Sequence, residues 1–194
     1  MQEVPMDERD LLRAVSILDG FPGSWWVTGG WAIDLACPAP VRDHSDVDLL
    51  VRDDEADLLW DHLRGRDPVI EHPHSRVRRD WRRGDVLTAG PDTIVLDGFP
   101  GLQILVGRFE GDVWIFPRGS GRIRRPVGLM TRYGRHGLPI QAPEVVLLFK
   151  ARDRLAKNDL DFSAVADLLD DEQRAWLRPV IARRTPDHPW LSRL

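Results

Sequence analysis

Trp25-Trp26-Val27-Thr28-Gly29-Gly30-Trp31-Ala32-Ile33-Asp34-Leu35, followed by Arg42-Asp43-His44-Ser45-Asp46-Val47-Asp48-Leu49, is the stretch on which the reading of this chain turns. Residues 25–28 read as a buried strand stopped by Gly29-Gly30. Residues 31–36 read as a short helix starting directly after the glycines and ended by Pro38 and Pro40. In 46–52, Val47, Leu49 and Val51 alternate with Asp46, Asp48 and Leu50, which predicts a strand. A glycine pair between strand and helix lets the backbone approach a bulky anion. The helix N-terminus behind it offers unpaired N–H groups and a positive dipole end, a seat for a triphosphate or pyrophosphate. Asp46 and Asp48 lie two apart on a strand and point to one face. Two such carboxylates repel unless a divalent cation lies between them, and their hard oxygens suit Mg²⁺. Arg42 and His44 add donors for phosphate. Taken singly, Gly-Gly is also an ordinary turn and Asp-x-Asp an exposed strand face. Their order on a strand–Gly-Gly–helix–strand frame carries the reading.

Around this frame, 7–19 has the apolar spacing of an amphipathic helix with an acidic first turn. Residues 54–64 read as the next helix, with Leu58, Leu59 and Leu63 on one face. Short apolar runs at 93–97, 102–107 and 112–116 read as strands separated by Gly-containing turns. Residues 118–139 hold many Gly and Arg and read mainly as loop. Pro143-Glu144 opens an apolar helix at its first turn, and helices over roughly 159–169 and 171–183 follow. The outline is a mixed α/β part over 1–141 and a helical part over 142–194.

At this point GGWAIDL with R-x-H-S-D-V-D-L resembles the nucleotidyltransferase superfold, specifically its bacterial aminoglycoside and lincosamide nucleotidyltransferase-like group. The family's Gly-Gly-Trp-Ala-Ile/Val-Asp and Arg-x-His-x-Asp-x-Asp blocks match Gly29 to Asp34 and Arg42 to Asp48. Ala142 to Ala151 looks like the family's helix, and its Lys-Asp-x-x-Asp-Phe pattern aligns with Lys157, Asn158, Asp161 and Phe162. The resemblance implies an α/β (α+β) fold: a small mixed twisted sheet flanked by helices, with the helical part closing the cleft. It implies transfer of a nucleoside monophosphate, usually AMP from ATP, onto a hydroxyl of a small, antibiotic-like molecule. Gly29 and Gly30 would cradle the triphosphate, Asp46 and Asp48 would be the catalytic pair holding one or two Mg²⁺, and Lys150 would partner phosphate.

The pattern departs at one place. The superfold normally supplies a third carboxylate from a later, neighbouring strand, and the aligned residue here is Gln103. An amide coordinates Mg²⁺ weakly and is no base. Either Asp97 or Glu110 takes the role, or transfer proceeds without a strong base because phosphoryl-type chemistry rests on positioning. The remaining reading is a degenerate, non-catalytic member that binds nucleotide or, antitoxin-like, a partner.

Composition limits the classes. The chain has 194 residues, one Cys and 27 Lys plus Arg against 31 Asp plus Glu, a net charge of -4. One Cys excludes a disulfide framework, and Cys37 reads as packed. No run reaches the ~18 apolar residues of a membrane span. The polar N-terminus MQEVPMDERD is no signal peptide, so a soluble cytoplasmic protein is expected. The near-neutral charge argues against a general nucleic-acid binder. Only Lys150 and Lys157 are lysine among the basic residues, against 25 arginines, which sets those two apart. The arginines at 76–83 and 118–135 read as a solvated surface, or as a cleft rim preferring anionic or neutral acceptors, or as a nucleic-acid or protein surface, and either way their charge argues modestly against an aminoglycoside acceptor. Trp81 and Trp114 read as packed, or as platforms for a base or sugar. His62, His72, His74 and His136 have no metal-ligand spacing. Asp34 reads as a support for the turn or for Arg42.

Overall fold

Two helix starts in this chain are set by side-chain capping boxes, at Asp7 and at Asp170. The computed structural model describes residues 5–72, 75, 77–118 and 122–194. Residues 1–4, Pro73, His74, Arg76 and 119–121, over which parts of the sequence reading ran, lie outside the described residues. Helix α1 (Glu8–Val15) begins at Asp7, whose carboxylate accepts from the N–H groups of Arg9 and Asp10 while Asp10 accepts from the Asp7 N–H. Strand β1 (Trp25–Thr28) runs directly into α2 (Gly29–Ala36). Then come β2 (Val47–Arg52), α3 (Ala56–Leu63), β3 (Val69–Glu71), β4 (Arg78–Asp80) and β5 (Thr93–Val95). The long β6 (Leu102–Glu110) leads to β7 (Val113–Ile115), β8 (Arg124–Pro126), the one-turn α4 (Val127–Met130), β9 (Thr131–Tyr133) and β10 (Pro139–Gln141). After β10 come α5 (Pro143–Lys150), with Pro143 in its first turn, α6 (Ala156–Val165), and α7 (Asp171–Arg184), capped by Asp170 and Gln173.

The strands form a mixed sheet in the order β4-β3-β5-β6-β2-β1-β10-β9, with β7 and β8 continuing from the far half of β6. β2 is parallel to β6 and antiparallel to β1, and β1 is parallel to β10. Val27, Val47, Leu49, Val51, Ile104 and Val106 are buried at the centre of the sheet. Trp31, Ala32, Ile33, Asp34 and Leu35 of α2 are all buried, as a helix enclosed between β1, β2, α5 and α6 requires. No helix among the described residues is long and apolar enough to cross a membrane.

Two expectations change. The segment 118–139, read mainly as loop, contributes β8, α4 and β9. Its order comes from distant partners: β8 pairs with β7, β9 pairs with β10, and Arg125 is buried against Glu144. Such pairing overrides a weak local pattern. Within 76–83, β4 is an exposed edge strand on β3.

Candidate active site

The sharp passage from β1 into α2 is made by Gly29, whose φ of 66° favours glycine. The residue type is also fixed by space. A Cβ on Gly29 would overlap the Asp48 carboxylate, and one on Gly30 would overlap the Arg42 guanidinium and the His44 ring. The glycine pair therefore lets these functional groups close onto the start of α2.

Asp48 sits in β2 between two neighbours, opposite Thr28 of β1 on one side and Gln103 of β6 on the other. Asp46 immediately precedes the strand and is exposed. Burial, reinforced by the charge of Asp46, pushes the Asp48 carboxyl up to about 7, against the opposing pull of Lys150 and Lys157. A carboxylate so disfavoured in its own fold is suited to a cation. Two hard oxygen donors fit Mg²⁺, whose other positions are commonly filled by phosphate oxygens and water. Among the described residues no cluster of three or more His, Cys, Asp or Glu side chains could hold a metal.

The facing wall is cationic and comes from the other end of the chain. Asp161 of α6 is fully buried and accepts from Arg42 Nε at 2.7 Å and Nη2 at 3.1 Å. Lys150 Nζ lies 2.6 Å from the same carboxylate. Asn158 donates to the carbonyls of Lys150 and Asp153, fastening the end of α5 to α6. His44 is buried. Its ring stacks on Trp31 at 4.3 Å, and its Nε2 lies 3.3 Å from Asp34. Asp34 also accepts the Val41 N–H, so it holds the turn, while Arg42 is oriented by Asp161. Gly29, Gly30, Arg42, Asp46, Asp48 and both lysines line one cleft of about 430 Å³. This combination of a glycine-opened helix start, paired carboxylates and facing cations can bind a metal-bound polyphosphate.

The profile of the aminoglycoside-2''-adenylyltransferase family matches residues 10–109, just over half of the chain. The chain belongs to this family. No curated protein matches it. The solution structure of the antibiotic-resistance factor ANT(2'')-Ia has a TM-score of 0.61 at 14% identity, covering 93% of this chain and 95% of that one. The crystal structure of ANT(2'')-Ia in complex with adenylyl-2''-tobramycin gives 0.59 at 14%, covering 92% and 100%. The lincomycin-bound lincosamide antibiotic adenylyltransferase LnuA gives 0.58 at 16%, covering 86% and 100%. These likenesses establish a nucleotidyltransferase fold.

On the far side of Asp46 this adenylyltransferase-family chain has a second cleft, of about 710 Å³, lined by Ser45, Asp46, Glu71, Arg78, Phe99 and Gln103 among others. Ser45 and Asp46 border both clefts. Gln103 stands directly beside Asp48, where a third carboxylate would have to be. Glu110 is at the other end of β6, some 20 Å along the strand at ~3.3 Å per residue, and pairs with Arg124. Asp97 borders the second cleft but pairs with Arg78 at 2.8 Å. Three arginines of the 76–83 segment are also compensated: Arg78 by Glu71 and Asp97, Arg79 by Asp85 and Asp92, Arg83 by Asp57 and Asp61. Trp81 and Trp114 are buried in the core. His62 Nε2 meets the Ile17 carbonyl and His136 meets Glu8, both away from the site.

Sequence reasoning matched Asp161 to a family pattern but gave it no role, and Glu71 went unnoticed. The motif Lys157-x-x-x-Asp161 was the available signal for the first. For Glu71 there was none, because its burial depends on β3 pairing with β5.

Proposed function

We propose that this chain is a Mg²⁺-dependent nucleotidyltransferase that moves AMP from ATP onto a hydroxyl of a small molecule. The observation that carries the reading is the pair of clefts sharing Asp46, one with phosphate-binding chemistry and one open to an acceptor. The N–H groups at the start of α2, with Arg42, Lys150 and Lys157, hold the triphosphate. Asp46 and Asp48 would hold the Mg²⁺, which when bound would supply charge stabilisation to the phosphates. The acceptor oxygen bonds to the α-phosphorus as the bond to the β-phosphate oxygen breaks, pyrophosphate departs, and the hydroxyl proton passes to water. The helical part, 142–194, closes the nucleotide cleft as a second unit. The acceptor cleft, with Asp46, Glu71 and Asp97 around a doubly paired Arg78, suits a neutral or cationic hydroxylated compound, antibiotic-like in size. The chemistry suits the cytoplasm, where ATP and Mg²⁺ are at hand.

Isothermal titration of ATP tests this directly. Binding is expected with Mg²⁺, to be lost with EDTA, and to be lost in Asp46→Asn. Pyrophosphate release in an acceptor screen then reads turnover. If wild type does not bind ATP with Mg²⁺, the reading fails.

A second reading, a non-catalytic nucleotide or partner binder, is favoured by Gln103 alone, since its amide cannot accept the acceptor's proton. Replacing Gln103 by Asp decides between them. In a working enzyme that runs on positioning, the new carboxylate beside Asp48 raises the transfer rate about a hundredfold or more, the lower end of a general-base contribution. In a non-catalytic protein Gln103→Asp releases no pyrophosphate with any acceptor.

A further inference from the structure

We infer that Asp161 is a positioning residue of the nucleotide seat: it sets where Arg42 and Lys150 meet the phosphates. The inference rests on the nucleotidyl-transfer reading above. Its carboxylate is fully buried and receives two cationic side chains, Arg42 at two nitrogens and Lys150 at one. Arg42 and Lys150 are themselves mostly buried, at 17% and 12% side-chain exposure. Left to itself, a lysine on the last turn of a helix would extend toward water. Here Asp161 turns it back into the cleft, and the same carboxylate fixes the planar guanidinium of Arg42 against Gly30. The fork geometry of Arg makes such a bidentate hold directional. One carboxylate against two cations leaves one positive charge for an incoming phosphate, and Lys157 lines the same cleft.

Asp161 does not line that cleft in its own right, so its effect on nucleotide passes through the two side chains it holds. This gives a test in which charge and position predict opposite signs. Asp161→Asn makes the seat more positive by one charge. On electrostatics alone, ATP binds more tightly. If Asp161 acts by positioning, ATP with Mg²⁺ binds about tenfold or more weakly by titration calorimetry. Lys150→Ala, which weakens binding in the wild type, then adds little in the Asp161→Asn background, because its side chain is already out of place. A purely structural role lowers the melting temperature but leaves the affinity of the folded protein unchanged. Should Asp161→Asn not fold, Asp161→Glu keeps the charge and shifts the carboxylate by one methylene. The same tenfold loss is expected there. Equal or tighter binding in the folded variant overturns the inference while leaving the nucleotidyl reading in place. Absence of MgATP binding by wild type overturns both, so the two failures are told apart by the wild-type titration.

Discussion

Asp48→Asn is expected to lower nucleotidyl transfer by at least about a thousandfold, the scale of losing a principal charge-stabilising element from a transferring phosphoryl group, while making the metal-free protein more stable at pH 8. Both halves follow from one feature. The carboxyl lies between β1 and β6, next to Asp46, and its affinity for a proton is raised to about 7 from an ordinary 3.8. The fold therefore keeps a proton that the unfolded chain releases, and wild type loses stability as pH rises from about 4 to 7. Asparagine carries no charge to desolvate and escapes that loss. Melting in EDTA should accordingly show the variant several degrees higher at pH 8, with the difference vanishing near pH 4. Retention of transfer by Asp48→Asn would remove the pair from the mechanism. A lower melting temperature at pH 8 would mean that the carboxylate is not held unfavourably in the absence of metal.

Glu144→Ala carries the largest expected effect on stability, a loss of ~3–5 kcal/mol, as for breaking a buried ion pair from one side. Glu144 is fully buried and Arg125 is 1% exposed, with Arg125 Nη2 2.5 Å from one carboxylate oxygen and Gln173 Nε2 2.6 Å from the other. Truncation leaves the Gln173 amide without its acceptor. It leaves Arg125 to Glu172, which is half exposed, and to the face of Trp176 at 4.7 Å. For a chain of this size the melting temperature should fall by about 10 °C. Burial holds the Glu144 carboxyl above the usual range despite Arg125. Glu144→Gln, which keeps an oxygen for Arg125 and carries no buried negative charge, should therefore cost clearly less than alanine. Denaturant unfolding of the two variants checks this; a loss below ~1 kcal/mol for alanine would show that Arg125 finds full compensation elsewhere.

The strand–Gly-Gly–helix–strand frame is legible in the sequence because each of its signals is local. Glycine stops β1, alternation marks β2, and the two Asp are two residues apart on one strand. Both lysines fall in the same cleft as the glycine pair, as their scarcity hints. What is not legible depends on partners distant in sequence. Arg125 looks like one more arginine in a Gly-rich run until Glu144 and Glu172 surround it. Arg78, Arg79 and Arg83 look like part of a bare basic patch until carboxylates from 57–61, 85, 92 and 97 come to meet them. Asp161 acquires meaning only when α6 folds back on Arg42, 119 positions away.

The pairing of Val27 with Ile140, a parallel join across most of the chain, also bears on synthesis. As the chain leaves the ribosome, β1 emerges early and has one free edge until β10 arrives. The lysines that face the glycine pair emerge later still. No nascent fragment ending before residue 161 holds the full set of residues proposed to seat the nucleotide, however well its sheet has formed. Loop closure over so many residues is slow, so a growing chain is exposed to mispairing at the β1 edge. Activity in a truncation series should therefore appear abruptly, once α6 is included, and not in proportion to length.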